Sequence, residues 1–403
     1  MTTAESTGDG ALSRVPWDSG VLYVILSSSM IGIMGVSLVS PVLPDMRPAF
    51  GVTDAQVGLV ITAYTVPGIV LTPFVGLLAD RIGRRLVLVP LLVLFGVAGA
   101  AIAVAETFTQ VLALRFLQGV GASALITLAI TLIGDCYAGE QRNAVMGLHG
   151  STIGTSAAFY PLIGGALGTV RWSVPFLFFA VAILVGVFAA TTLHEPERSE
   201  PQRVWTYLER LGHVLLLPSA LAIFAAIFVI FTVFYGAILT ALPLLLSDEF
   251  GLGSDGIGIV IAAVALASAI VSSQFGRIAR WRTPEELVAI GFLAYGVSLI
   301  GVYLAPSPVF VAVSLLAFGV GFGVVMPSVD TAVVTLVSGE LRAGMMGMRT
   351  SVLSLGKTVG PFLFTYLAQA AFPTTVAGYR TLLLVSGLLV GVIGAIGYVL
   401  VRE

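Results

Sequence analysis

The sequence predicts an all-α integral membrane protein, with twelve transmembrane helices in two pseudo-symmetric six-helix bundles. Three observations lead there. The 403 residues are 58% hydrophobic and only 10% charged, with a mean hydropathy of +1.05. Soluble domains carry about 25% charged residues, so this chain lacks the charge to cover a water-facing surface. Apolar runs of the length that crosses a bilayer, about 20 residues, recur twelve times. The two halves also align on each other at an offset of 200 residues.

Taken in order, the chain opens on a polar, acidic tail, residues 1–17, without the basic start and short apolar core of a signal peptide. The first bundle, 18–192, holds runs at approximately 21–43, 55–79, 86–104, 107–134, 143–169 and 173–192. Charge then concentrates in the linker 193–217, whose portion from Arg203 onward predicts a short amphipathic helix on the membrane face. The second bundle, 218–403, holds runs at approximately 218–246, 256–277, 286–304, 308–338, 343–371 and 379–401. Positive charge orients them. With the N-terminus inside, fourteen of the nineteen Lys and Arg residues fall in cytoplasmic segments or at their edges, Arg349 among them, and only Arg47, Arg171 and Arg380 fall outside. Both termini and the linker are therefore expected in the cytoplasm.

Several classes of function are excluded. A net charge of -2 and the lack of a basic tract argue against nucleic acid as a partner. Cys136 is the sole cysteine, so no internal disulfide forms. Asn143, the sole asparagine, starts no glycosylation sequon. With the short loops, that fits a multi-pass protein of a prokaryotic plasma membrane. No nucleophile–base pair, metal cluster or cofactor loop is visible, so neither an enzyme nor a cofactor is expected. Gly356-Lys357-Thr358 ends like a phosphate loop, but Ser351 stands where its first glycine belongs.

The repeat is specific. Phe50-Gly51 matches Phe250-Gly251, Gly58 matches Gly258, and Gly76 matches Gly276. Gly119-Val120-Gly121 matches Gly319-Val320-Gly321. Glu140, Arg142, Gly147 and Pro161 match Glu340, Arg342, Gly347 and Pro361 in the same register. A parallel duplication of six helices implies a site between the two bundles, near the midplane.

The loop after the second span reads "GLLADRIGRR", Gly76 to Arg85. Gly76 permits close helix approach, Asp80 suits the positive end of a neighbouring helix, and Gly83 permits a tight turn. Arg81, Arg84 and Arg85 anchor the loop at the cytoplasmic face. "LALRFLQGVG" follows in the fourth span, Leu112 to Gly121. On these stretches the chain resembles the major facilitator superfamily, specifically its twelve-span drug/proton antiporter branch, over about Asp18 to Arg402. The resemblance implies a cytoplasmic gate made by Asp80 and the loop arginines with an acid at the end of the fourth helix, here Asp135. It also places Arg115 and Gln118 inside the membrane. The branch's fifth-helix motif is matched at Gly147, Pro161, Gly164 and Gly165, whereas Ser156 and Tyr160 stand where it has glycine. The second repeat keeps Gly347, Gly356, Gly360 and Pro361 at that spacing.

Within the spans the charged residues are few. Lys357 is the only lysine of the chain. It falls near the centre of the eleventh span, with Thr350 and Ser354 on the same helical face. Arg115 and Asp330 are the other two, and intramembrane charges mark substrate or ion pathways by default. A buried lysine can lose its proton, whereas arginine stays protonated. Lys357 is thus either a switchable proton site or the counter-ion of an anionic substrate group, unless it pairs with Asp330. The three groups sum to a formal +1, which tilts the substrate towards anionic, zwitterionic or neutral amphiphiles. Tyr64, Phe159, Tyr160, Phe231, Phe234 and Tyr235 are candidates to line an apolar site, and His149 is expected at the interface. The reading is a monomeric, proton-coupled transporter of a small amphiphilic or anionic organic molecule by alternating access, an exporter. Its partners are the substrate, protons and the lipid bilayer. An uptake symporter or facilitator for an organic anion is the alternative, and a non-transporting membrane sensor a remote one.

Overall fold

The computed structural model describes residues 14–194, 218–335 and 342–402. The expected linker, 193–217, lies outside the described residues from 195 on, as does the tail before residue 14. Among the described residues there are twelve helical passes and no strand. In the first half they are α1 (Gly20–Ser37, continued by Ser40–Val42 and Leu43–Phe50), α2 (Asp54–Ile82) and α3 (Arg84–Ala101). Next come α4 (Phe108–Ala122 with Leu125–Cys136), α5 (Gly139–Gly168) and α6 (Val174–Leu177 running on to Val181–Thr192). The second half has α7 (Pro218–Val233, a π-helical stretch Phe234–Ala241, and Leu242–Phe250), α8 (Ser254–Ser273) and α9 (Pro284–Leu304). It ends with α10 (Pro308–Thr335), α11 (Arg342–Ala371) and α12 (Thr375–Arg402). Ten of the passes are long and apolar enough to cross a membrane by composition alone. The other two are α5 and α11, the pair carrying the repeated glycine and proline motif. Their polarity has a structural reason: each presents one face to the opposite half rather than to lipid.

Local chemistry sets the helix ends. Thr53 and Gln56 form a reciprocal capping box at α2, and Thr107 and Gln110 do the same at α4. Thr283 caps α9 just before Pro284. Gly51 and Gly251 close α1 and α7 in the left-handed conformation, at φ 62° and 64°. The equality of those two angles, 200 residues apart, is the repeat expressed in backbone geometry. Gly83, at φ 115°, makes the one-residue turn between α2 and α3. Within α4 the helix breaks after Ala122, and Thr72 donates to the freed carbonyl of Ser123 at 2.7 Å. That bond satisfies a backbone group that lipid would leave bare.

The halves meet through two crossed helix pairs. Gly58 of α2 lies against the carbonyl of Pro361 on α11, and Gly258 of α8 against the carbonyl of Pro161 on α5. A Cβ at Gly258 would fall 2.3 Å from that oxygen, so only glycine allows the approach. Along α5 the separation from α8 then grows steadily. A Cβ would stand 2.4 Å from Ser254 O at Gly165 and 3.6 Å from Ala269 at Gly154, and would meet nothing within 4 Å at Gly150 or Gly147. On α11 the same side closes against Gly58, relaxes to 3.6 Å between Gly68 and Ser354, and is open at Gly347. The bundles therefore form a wedge. Its closed end is the face of the α1–α2 and α7–α8 turns, and its open end is the face holding the described chain ends at 14 and 402.

Candidate functional site

The site grows from the walls of that wedge. On α11, Leu355, Phe362, Leu363 and Tyr366 are exposed on one side, where lipid would lie. Lys357 projects from the opposite side. Gly356 and Gly360 let α11 lie directly on the α7 backbone, beside the carbonyls of Phe228 and Thr232. This brings the ammonium of Lys357 5.6 Å from the Phe231 ring centre and 5.1 Å from that of Tyr235. Tyr235 sits in the π-helical stretch, where Thr240 donates to its carbonyl at 2.7 Å. Such stretches recur at functional sites because they re-aim side chains. Thr358 hydrogen-bonds Thr65 at 3.0 Å, fixing α11 against α2 beside the lysine.

Arg115 faces the same region from the first half but does not line the crevice, because its side chain is fully buried. Its Nε donates to the carbonyl of Val60 at 3.0 Å and its Nη1 to Gln118 Oε1 at 2.8 Å. The Tyr64 ring covers the guanidinium, 4.4 Å from its carbon. A desolvated contact of this kind is worth about 2 kcal/mol, which offsets part of the cost of a charge held without a carboxylate. Nη2 of Arg115 and Nε2 of Gln118 have no hydrogen-bond partner. The Tyr64 hydroxyl rests over Gly35, where a Cβ would come within 2.0 Å of it. Arg115 thus stacks on Tyr64 in the first half, and Lys357 lies beside Phe231 and Tyr235 in the second.

Asp330 does not pair with Lys357. Its ion pair is with Arg349 of α11, which lies two turns inside that helix rather than at its cytoplasmic edge. The sequence set Arg349 at the cytoplasmic edge, although the helix already begins at Arg342, seven residues before it. The formal +1 changes accordingly. Asp330 is compensated by Arg349, while Arg115 and Lys357 have no carboxylate within ion-pair distance among the described residues. His149 also departs from expectation: it is buried, not interfacial, because α5 begins ten residues earlier at Gly139. Phe159 is 55% exposed. Tyr160 is buried in α5.

At the open end, Arg84 Nε lies 3.1 Å from Asp135 Oδ2 at the end of α4. Arg81 and Arg85 are exposed and Gly83 is buried in its turn. Gly76 and Asp80 fall within α2, and their side chains lie outside the described residues. The resolved ion pairs at this end are Arg14–Glu140, Arg84–Asp135, Arg282–Glu286 and Arg349–Asp330, and each stays within one half.

The closed end is different, and the sequence reading missed it. Arg47 of α1 binds Asp54 of α2 at 2.7 Å and reaches Asp248 of α7 through Nη2 at 2.5 Å and Nη1 at 2.9 Å. Tyr379 of α12 donates to the other Asp54 oxygen at 2.9 Å. Glu249 is held by Arg380 beside it. Ser40 donates to the Leu239 carbonyl and Ser254 to that of Gly165, at 2.5 Å and 3.0 Å. The Arg47–Asp248, Tyr379–Asp54, Ser40–Leu239 and Ser254–Gly165 contacts cross between the halves, while Arg47–Asp54 and Arg380–Glu249 each brace one side. Its signal was available: Arg47 and Asp248 stand four and three residues before the matched glycines, with opposite charge.

Two duplicated six-helix bundles, joined at one face, parted at the other and holding uncompensated charge between them, define a multi-pass membrane transporter. The Major Facilitator Superfamily model matches residues 25–284 and again 223–403, and the chain belongs to that superfamily. It is 24% identical over 357 residues to Multidrug resistance protein 1 of Bacillus subtilis (strain 168), covering 85% of this chain and 88% of that one. To the Bacillibactin exporter of the same organism it is 27% identical over 365 residues, covering 87% and 90%. A solved bacterial homolog of the human lysosomal transporter Spinster, inward-facing and unoccupied, superposes with a TM-score of 0.82 at 18% identity, covering 96% and 97%.

Proposed function

We propose that the protein is a proton-coupled exporter of a small amphiphilic organic molecule, working by alternating access as a monomer with both termini in the cytoplasm. The carrying observation is the wedge: a clasp of Arg47, Asp54, Asp248 and Tyr379 spans the halves at one end, while the α5–α8 and α11–α2 faces part at the other. The open end is then the cytoplasmic loading side. The Arg84–Asp135 pair is the first-half portion of the gate that engages the second half when this side closes. The relative named a bacillibactin exporter supports the direction.

Asp330 and Arg349 carry the proton coupling in this reading. Protonation of Asp330 would free Arg349 near the start of α11, linking proton occupancy to closure. The test is flux in proteoliposomes. Wild type should accumulate substrate when a pH gradient is imposed, in the direction opposite to proton flow. Asp330→Asn should lose gradient-driven accumulation yet keep substrate exchange without a gradient. Undiminished accumulation in that variant would remove Asp330 from the coupling, and co-directional movement of substrate and protons would make the protein an uptake symporter.

A further inference from the structure

From the charge balance across the crevice we infer that the transported molecule is an organic anion with an aromatic or flat apolar body. Its anionic group sits on Lys357, and its ring lies against Phe231 and Tyr235. This rests on the transport reading above and gives it a substrate class.

The argument begins with what Lys357 lacks. Among the described residues no carboxylate lies within 4 Å of its ammonium and no hydrogen bond reaches it. Its only close neighbours of note are the faces of Phe231 and Tyr235. Asp330 is already neutralised by Arg349, which lies eight residues, about 12 Å, from Lys357 along α11. The second cation, Arg115, is held by a backbone carbonyl and an amide oxygen, both neutral, with Nη2 left without a partner. Arg115 is sealed beneath Tyr64, so Lys357 is the cation that meets the crevice, and no protein anion stands beside it. A lipophilic cation entering there would meet repulsion, whereas an anion supplies the missing counter-charge.

The walls specify the rest of the molecule. Phe231, Phe234, Tyr235 and Phe322 form one continuous aromatic surface, with ring centres 4.9 to 6.2 Å apart. An aromatic face flanked by a single ammonium matches a planar ring bearing a carboxylate or sulfonate. Lysine acts there as a point charge and does not demand the paired geometry that arginine imposes. The hydroxyls of Thr350 and Ser354, on the same side of α11, extend the polar strip towards the open end and give the anionic group a path inward. Lys357 and Tyr235 are binding residues in this scheme, and the π-helical stretch is what positions Tyr235.

The test compares charge at constant shape. Thermal unfolding of the purified full-length protein is followed with 2-naphthoate, 2-naphthalenesulfonate, the neutral isostere 2-naphthamide, and tetraphenylphosphonium. The two anions should raise the melting temperature in a saturable way, and the amide should not. Lys357→Gln should weaken anion binding at least tenfold, while Lys357→Arg should stay within a fewfold of wild type. Should Lys357→Gln fail to fold, Phe231→Leu is the second variant, expected to weaken both anions without changing their order. Equal stabilisation by 2-naphthamide, a preference for tetraphenylphosphonium, or no stabilisation by any probe overturns the anion assignment. The transport reading fails on a separate result: anions that bind by these criteria but never cross proteoliposome membranes.

Discussion

Arg115 illustrates how a buried charge is tolerated when it has work other than stability. Replacing buried ionic groups by apolar ones of similar volume is often neutral or stabilising. Arg115→Met is therefore expected to leave the melting temperature unchanged or higher, while substrate flux falls at least tenfold. A melting temperature lowered in step with flux would instead mark Arg115 as structural. Gly35 gives the complementary case, because a methyl there collides with the Tyr64 hydroxyl. Overpacking of this kind costs about 1–3 kcal/mol. The ring carbons Cζ and Cε2 lie nearly as close to that methyl, at 2.1 and 2.6 Å. Gly35→Ala should therefore lower the melting temperature by several degrees and move Tyr64 off Arg115, and Gly35→Ala with Tyr64→Leu should cost less than the two changes summed. Thermal unfolding of both variants checks it.

At the scale of elements, the clasp between α1, α2, α7 and α12 sets which end of the molecule is shut. Arg47 is only partly exposed and Asp54 is buried, so their bonds escape most solvent screening. Hydrogen bonds to charged groups contribute about 1.5–3 kcal/mol. Arg47→Ala should therefore shift the balance of the two end states by roughly ten- to hundredfold towards opening of that face. Spin labels at Glu106 and Pro306, on exposed loops of the two halves at the closed face, read the distance in a Cys136→Ser background. A longer distance in Arg47→Ala, and its return in Arg47→Asp with Asp248→Arg, are the expected outcomes. An unchanged distribution would show that glycine–carbonyl packing alone holds the face shut.

For the whole molecule, the sole cysteine provides a test of orientation without engineering. Cys136 ends α4 on the exposed surface of the open face, beside Asp135. A membrane-impermeant maleimide should label it in inverted vesicles and leave it unlabelled in intact cells. The reverse pattern would place the open end outside the cell and turn the export reading into import. The same face carries the Arg84–Asp135 pair. Asp135→Asn should slow turnover while leaving substrate affinity within about twofold, because it touches the gate and not the crevice.

Composition and spacing determined much of this protein. Lack of charge required a bilayer, run length gave twelve passes, and the paired Phe-Gly and Glu/Arg/Gly/Pro landmarks announced the duplication. These are properties of local sequence, since a helix in lipid must satisfy its own backbone whatever surrounds it. Lys357 was visible for the same reason, being the single lysine in an apolar run. What the sequence left open depended on which helix faces meet. Asp330 has two cations on α11 to choose from in the sequence, and only the packing of α10 on α11 pairs it with Arg349. Arg115 reads as a crevice residue by position, but the fold of α2 over α4 seals it beneath Tyr64. The clasp joins residues as far apart as Asp54 and Tyr379, and pairing at that range follows from the docking of two bundles. Helices are written residue by residue in the chain, whereas charge compensation is decided by neighbours that only the tertiary structure brings together.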